Sequence, residues 1–241
     1  MSSDISGIKA LGFTSVRIYS TECNNLEYVA NAAASNGLKL ILGVFIDSTE
    51  YQQSQSQIDD IVGWAKWELV EMIVVGNEAI YNNYLNASRL VNWVAGAKEA
   101  FKNAGYTGPV TTTDTLAVLQ QFGSQFCGTV DVVAANLYAY YNPQTTAEQA
   151  GTFIQSELSI LESICPGKPA YVLETGWPHA GSANGAAIPG VQEQITALTA
   201  IEATVGSKVV FFEYLDEAWK AVDEPNPLGV NAFWGVSTAL S

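Results

Sequence analysis

Ala170-Tyr171-Val172-Leu173-Glu174-Thr175-Gly176-Trp177-Pro178 is an apolar run of strand length that ends in a carboxylate and is then stopped by glycine and proline. Buried parallel strands read as near-continuous hydrophobic runs of this kind, and this one delivers a single charged group to a surface. Met72-Ile73-Val74-Val75-Gly76-Asn77-Glu78 repeats the pattern. Short β-branched runs recur through the rest of the chain, at 16–20, 38–46, 110–115, 130–138 and 208–215. Segments of helical period separate them. The clearest spans 87–104, with Leu90, Val94, Ala97 and Phe101 on one face, Asn86 as N-cap and Gly105 as stop. Further helices are expected over 25–35 and 146–164.

Repeated strand–helix units with no linker between them imply a parallel sheet in one domain spanning residues 1–241. The length of 241 residues lies close to the ~250 of an α/β protein of the (β/α)8 TIM-type barrel class. A closed barrel is preferred here to an open doubly wound sheet. The count yields seven strands where eight are needed. Because 3–11 reads as a helix leading into the first run, the absent strand is expected to be the first, upstream of Met1.

The chain carries a net charge of −14 and only 14% charged residues. Such acidity repels nucleic acid and anionic membranes and favours a neutral or cationic partner. No apolar run approaches the ~18 residues of a membrane span. The opening Met1-Ser2-Ser3-Asp4 is polar, so no signal peptide is expected in this chain. Asn86-Ala87-Ser88 fits the glycosylation triplet, which often arises by chance. Three cysteines are too few for a disulfide scaffold and lack metal spacing. Cys127 and Cys165 each precede an apolar strand. If those strands are neighbours, both thiols lie at the same end of the sheet and can pair. Cys23 is left over, its partner expected in the upstream segment.

In parallel barrels the C-terminal strand ends carry the chemistry. Those ends read Tyr19 and Ser20, Asp47, Asn77 and Glu78, Asp114, Asn136 and Tyr138, Glu174 and Trp177, and Asp216 and Glu217. Greasy stems with polar and aromatic tips describe one face with a ligand cleft. The single histidine, His179, lies in a loop, and no Gly-x-Ser-x-Gly elbow accompanies it, so a serine triad is not supported. Neither zinc ligation nor a phosphate loop has the residues it needs. No cofactor and no metal are expected. Carboxylates are what the chain offers, and a facing pair of them suits glycoside hydrolysis, one protonated and one ionised. Asn77 is placed to bond a sugar hydroxyl, and Trp177, Tyr138, Tyr81, Trp219 and Trp234 are candidate platforms for sugar faces.

Val75-Gly76-Asn77-Glu78 and Glu174-Thr175-Gly176-Trp177-Pro178, with Arg17-Ile18-Tyr19 upstream, resemble glycoside hydrolase family 17, the retaining β-1,3-glucanases and glucanosyltransferases, and most of all its fungal cell-wall branch. The likeness covers essentially the whole chain. It implies a (β/α)8 barrel with the acid/base on the fourth strand and the nucleophile on the seventh. With the absent strand counted as first, these fall on Glu78 and Glu174. The resemblance also implies that Asn77 binds a sugar hydroxyl and that Tyr138 lies near the nucleophile; the strand-end and platform residues Tyr19, Tyr81, Asn136, Trp177 and Trp219, with Glu217 and Lys220, are expected to bind substrate beside them. Glu217 and Lys220 match a charged pair on the eighth strand. His179 stands where a small residue is commoner. The expected activity is β-1,3-glucanosyl transfer by double displacement, with Glu78 raised in pKa by burial and by the Glu174 charge. The alternatives are an endo-β-1,3-glucanase and a non-catalytic β-glucan-binding barrel. The expected partner is β-1,3-glucan or its oligosaccharides, and the expected setting is a monomer that is secreted or lodged in the cell wall.

Overall fold

A computed structural model describes residues 2–47, 51–224 and 226–240. It opens on helix α1 (Ser2–Ala10), and strands and helices then alternate: β1 (Ser15–Ile18), α2 (Asn25–Ser35), β2 (Lys39–Val44), α3 (Tyr51–Trp64), β3 (Val70–Asn77), α4 (Ala87–Asn103), β4 (Val110–Thr115), α5 (Leu116–Phe122), β5 (Val133–Asn136), α6 (Ala150–Ile164), β6 (Ala170–Thr175), α7 (Val191–Val205), β7 (Val209–Phe211) and α8 (Lys220–Asp223). The strands form one sheet in sequence order, β1 to β7. A helix follows every strand, so the fold is the TIM-type (β/α) barrel with seven strands among the described residues.

Packing divides into two compact units, Met1–Ala135 with Leu161–Ala170, and Asn136–Ile160 with Tyr171–Ser241. The divisions fall inside β5 and α6 and at the first residue of β6, so no linker marks them. In the first unit β1, β2, β3 and β4 pair in parallel. Its core is built from strand residues such as Leu40, Leu42, Ile73 and Val75 and from the inner face of α4. Leu90, Val94, Ala97 and Phe101 are each at most 1% exposed, as the helical period requires. Burial of the three larger ones contributes ~1.5–3 kcal/mol apiece. The Asn86 side chain accepts from Arg89 N at 3.0 Å, and Gly105, at φ +96°, ends the helix in the left-handed region. Cys127 and Cys165 form a disulfide within this unit, and Cys23 is an exposed free thiol.

In the second unit β6 pairs in parallel with β7. The helix expected over 146–164 begins with a 3-10 turn, Ala147–Gln149, under a Thr146/Gln149 capping box, and continues as α6. The strand expected over 208–215 is only Val209–Phe211. The backbone shows why. Phe212 N still reaches Thr175 O of β6 at 2.7 Å, but Glu213 N turns to Trp234 O at 3.2 Å. The ladder is lost to a later segment of chain, which a local pattern does not reveal.

Candidate active site

Both strand-end glutamates sit where their strand departs from regular pairing. Along β3, Val74 pairs with Thr111 and Asn77 with Thr113, three residues against two. Such a bulge re-aims the side chains that follow it. Gly76 lies inside it at φ +83°, where an added Cβ would meet Leu90 Cδ1 at 3.0 Å. Glu78 itself adopts φ +50°, the left-handed region that a non-glycine residue enters only when its surroundings hold it there. The holding contacts are explicit. Glu78 N donates to Thr113 O at 2.9 Å, and Glu78 O accepts from Asn82 N at 2.9 Å and from Asn82 Nδ2 at 3.0 Å.

Asp114, 1% exposed at the end of β4, braces the turn that follows Glu78. Its Oδ2 accepts from Ile80 N at 3.0 Å and Tyr81 N at 3.4 Å, and its Oδ1 accepts from Thr115 N at 2.8 Å. Burial pushes its pKa up, against the pull of those three N–H groups. Arg17 completes the cluster in this unit. Its Nη2 donates to Asn77 Oδ1 at 2.9 Å, and its guanidinium lies 4.4 Å from the centroid of the Tyr19 ring. Asn77, Glu78 and Tyr19 are half-buried, and Tyr81 is exposed.

In the second unit the same device recurs. Along β6, Val172 pairs with Val209 and Thr175 with Phe211, again three residues against two, and Glu174 falls inside the interval. Glu174 is 7% exposed. Tyr138 Oη donates to its Oε2 at 2.9 Å, and Leu137 N donates to its carbonyl at 2.8 Å. The Tyr138 ring is wedged edge-on among Trp234 (5.0 Å), Tyr141 (5.9 Å) and Phe212 (6.3 Å). The phenol therefore has one fixed direction, toward the carboxylate. Asn136 closes β5 and is buried.

Three expectations need correction. Trp177 is not a platform: it is fully buried, its Nε1 donates to Ile188 O at 2.9 Å, and its ring packs on Tyr140. Glycine and proline flank it, but the turn they make folds the indole inward. Trp234, 3% exposed, likewise backs Tyr138 rather than offering a free face. Glu217 and Lys220 do form an ion pair, at 2.6 Å, but off the strand, since β7 ends at Phe211 and Lys220 opens α8. Trp219 remains half exposed, and His179 Nε2 lies 2.8 Å from Asp216 Oδ2.

Sequence reading missed Glu213. It follows Val209-Val210-Phe211-Phe212, a carboxylate at the end of a greasy run like the other two glutamates, and that pattern would have found it. Lys220 Nζ meets Glu213 Oε2 at 2.6 Å, so Lys220 is held by two carboxylates, and it also lies 4.4 Å from the Phe212 ring centroid. Burial pushes Glu213 up to about 8, which outweighs the pull of Lys220. Glu217 is held below its usual range: burial would raise it, but bonds from Lys220, and others from Glu213 and the Trp219 side chain, win. Burial would lower Lys220, but its two carboxylates raise it. Among the described residues no group of three or more His, Cys, Asp or Glu could hold a metal ion, and no helix is long and apolar enough to cross a membrane.

The profile of the BtgE/BtgC glycoside hydrolase domain matches residues 1–235. A protein of Aspergillus fumigatus named probable beta-glucosidase btgE is 52% identical over 233 residues, which are 97% of this chain and 41% of that protein. The chain thus spans about two-fifths of the length of the curated relatives it matches. Among solved structures, the glycoside hydrolase family 17 beta-1,3-glucanosyltransferase of Rhizomucor miehei superposes with a TM-score of 0.86 at 23% identity, covering 99% of this chain and 87% of that one. An active-site mutant of that enzyme, in complex with laminaritriose, gives 0.86 at 22% identity, with 98% and 85% covered. An endo-laminarinase from Formosa gives 0.79 at 19% identity, with 98% and 77% covered. At these identities the structural matches establish the shared fold.

Proposed function

Because the chain belongs to the BtgE/BtgC glycoside hydrolase domain family, we propose that it is a retaining β-1,3-glucan-active enzyme of the family 17 type, acting chiefly as a glucanosyltransferase. In this reading Glu174 attacks C1 of a β-1,3-linked glucose while Glu78 protonates the departing oxygen. Glu78 then takes the proton from the incoming acceptor, and a glucan hydroxyl displaces Glu174 from the sugar. Retention requires the two carboxyl groups to stand roughly 5–5.5 Å apart.

The observation that carries the reading is the Tyr138–Glu174 hydrogen bond at 2.9 Å. A nucleophile must be aimed, and a phenol locked by three aromatic neighbours fixes the direction of the Glu174 carboxylate through Oε2. Glu78 suits the acid/base role because the turn that presents it is pinned by Thr113, Asn82 and Asp114. Asn77, fixed by Arg17, fits a contact to the hydroxyl next to the reacting carbon. Tyr19, Tyr81, Asn136 and Trp219 fit sugar contacts. Support for β-1,3-glucan comes from the name of the Rhizomucor protein and from the resemblance of the Glu78 and Glu174 motifs to family 17.

Hydrolysis is the second reading, favoured by the name given to the Aspergillus relatives. Incubation with a defined β-1,3-gluco-oligosaccharide separates the two by product mass over time. Products longer than the substrate mean transfer, and only shorter ones mean hydrolysis. Binding with no new species would mean a non-catalytic glucan-binding barrel. A secreted or cell-wall location and a monomeric state belong to the same proposal.

A further inference from the structure

Lys220 is clamped between Glu213 and Glu217 at 2.6 Å each, and its Nζ also lies 5.6 Å from the Trp219 ring centroid. Trp219 is 49% exposed, so a largely buried Glu213–Lys220 pair lies against an open indole face. A surface tryptophan ordinarily has its indole N–H on water and its ring free to rotate. This one has a buried ammonium against its ring. The ammonium is seated over the Phe212 ring and anchored to the end of β7 by Glu213.

We infer that Glu213 is a positioning residue for the acceptor side of the reaction: through Lys220, which lies against the ring, it fixes the Trp219 indole as the platform for the incoming sugar, and so sets the partition between transfer and hydrolysis. This rests on the transfer reading above. An acceptor sugar stacked on a fixed ring displaces water from the glycosyl-enzyme intermediate, whereas a loose ring lets water compete.

The cluster's charge decides how firmly the ring is held. The titratable groups facing Glu213 are Lys220 and Glu217. The 234–236 segment brings only backbone, through Glu213 N to Trp234 O and Val236 N to Glu213 O. Glu213 Oε1 is buried and meets no hydrogen-bond partner, which a neutral acid tolerates far better than a carboxylate. With its proton, Glu213 leaves Lys220 and Glu217 as a neutral pair. Once it ionises, at about 8, the cluster carries a surplus negative charge. Lys220 is then drawn to Glu213 and away from the Trp219 ring, and the indole is released.

The test uses the wild type, Glu213→Gln and Glu213→Ala, with a laminari-oligosaccharide as both donor and acceptor, from pH 6 to 9. The transfer-to-hydrolysis ratio of the wild type should fall about five-fold through pH 8, the worth of roughly one ordinary hydrogen bond. Glu213→Gln, which still accepts from Lys220 but does not titrate, should hold the ratio flat. Glu213→Ala should show the low ratio throughout. A break retained in Glu213→Gln, or a wild-type ratio in Glu213→Ala at pH 6, overturns the inference.

The fluorescence difference between the wild type and Trp219→Phe reads the same cluster without turnover. It should titrate at about pH 8, and the titration should vanish in the Glu213→Gln background. A wild type that makes no glucan product but shows this titration defeats the transfer reading and upholds the clamp. A difference spectrum that does not titrate defeats the clamp whatever the products.

Discussion

Replacing Tyr138 by phenylalanine removes one oxygen and nothing else from the surroundings of Glu174. The ring contacts to Trp234, Tyr141 and Phe212 are edge contacts of the ring itself, so phenylalanine keeps them. What disappears is the donor 2.9 Å from Glu174 Oε2. A hydrogen bond to a charged partner is worth ~1.5–3 kcal/mol net, which corresponds to about ten- to a hundred-fold in rate if it is needed to aim the carboxylate. Glu174 is 7% exposed, so water replaces the lost donor poorly. Leaving a buried acceptor short of a partner costs ~1–3 kcal/mol of stability, or ~2–12 °C in melting temperature for a chain of this size. Initial rates of cleavage of a β-1,3-gluco-oligosaccharide, together with a thermal melt, give both quantities. A Tyr138→Phe enzyme within two-fold of wild type would refute the argument that this phenol aims the nucleophile. A large fall in rate together with loss of the folded transition would also refute it, because the ring packing would then depend on the hydroxyl.

Gly76→Ala should lose ~1–2 kcal/mol for the left-handed φ alone, with further cost from Leu90 Cδ1 at 3.0 Å, and should impair catalysis through Glu78; urea denaturation and oligosaccharide turnover measure the two effects. Trp177→Ala should cost ~3–5 kcal/mol as a core truncation, whereas Trp219→Ala should leave the melting temperature nearly unchanged and lower the yield of longer products. Reduction of Cys127–Cys165, which closes a separation of 38 residues, should cost ~4 kcal/mol on the chain-entropy account, read as a shift in urea midpoint with and without reductant. Glu213 is raised to about 8 in the folded state from an ordinary value of 4.5, so its stabilising contribution is full below pH 4.5 and is lost as pH rises through about 8. Denaturation midpoints from pH 5 to 8.5 should therefore fall less steeply in Glu213→Gln than in wild type.

The fold was legible because its signals are local and repeated. Apolar runs of strand length alternating with the Leu90–Val94–Ala97–Phe101 stripe specify β/α units, and Asn86 and Gly105 mark helix ends by their own side-chain and backbone chemistry. The strand-end placement of Glu78 and Glu174 was legible for the same reason, as charges that end greasy runs. What local pattern does not carry is partnership at a distance. Trp177 and Trp219 look alike in sequence, and only the packing of Tyr140 and Ile188 on the first makes it core. The bracing of the Glu78 turn by Asp114 spans more than thirty residues of chain. The strand end at Phe211 is set by Trp234 O, more than twenty residues onward. The bulges at Gly76 and Glu174 are register facts, and these exist only once two strands lie side by side.

The central claim is that Glu174 forms a covalent bond to the sugar. A 2-deoxy-2-fluoro-laminaribiosyl fluoride slows the second displacement, so intact-protein mass after brief incubation reads the intermediate directly. The account predicts a mass gain of one fluorolaminaribiosyl group, mapped to the peptide that contains Glu174 and absent in Glu174→Gln. Unmodified protein under conditions in which it cleaves β-1,3-glucan, or a label on any other residue, would contradict it.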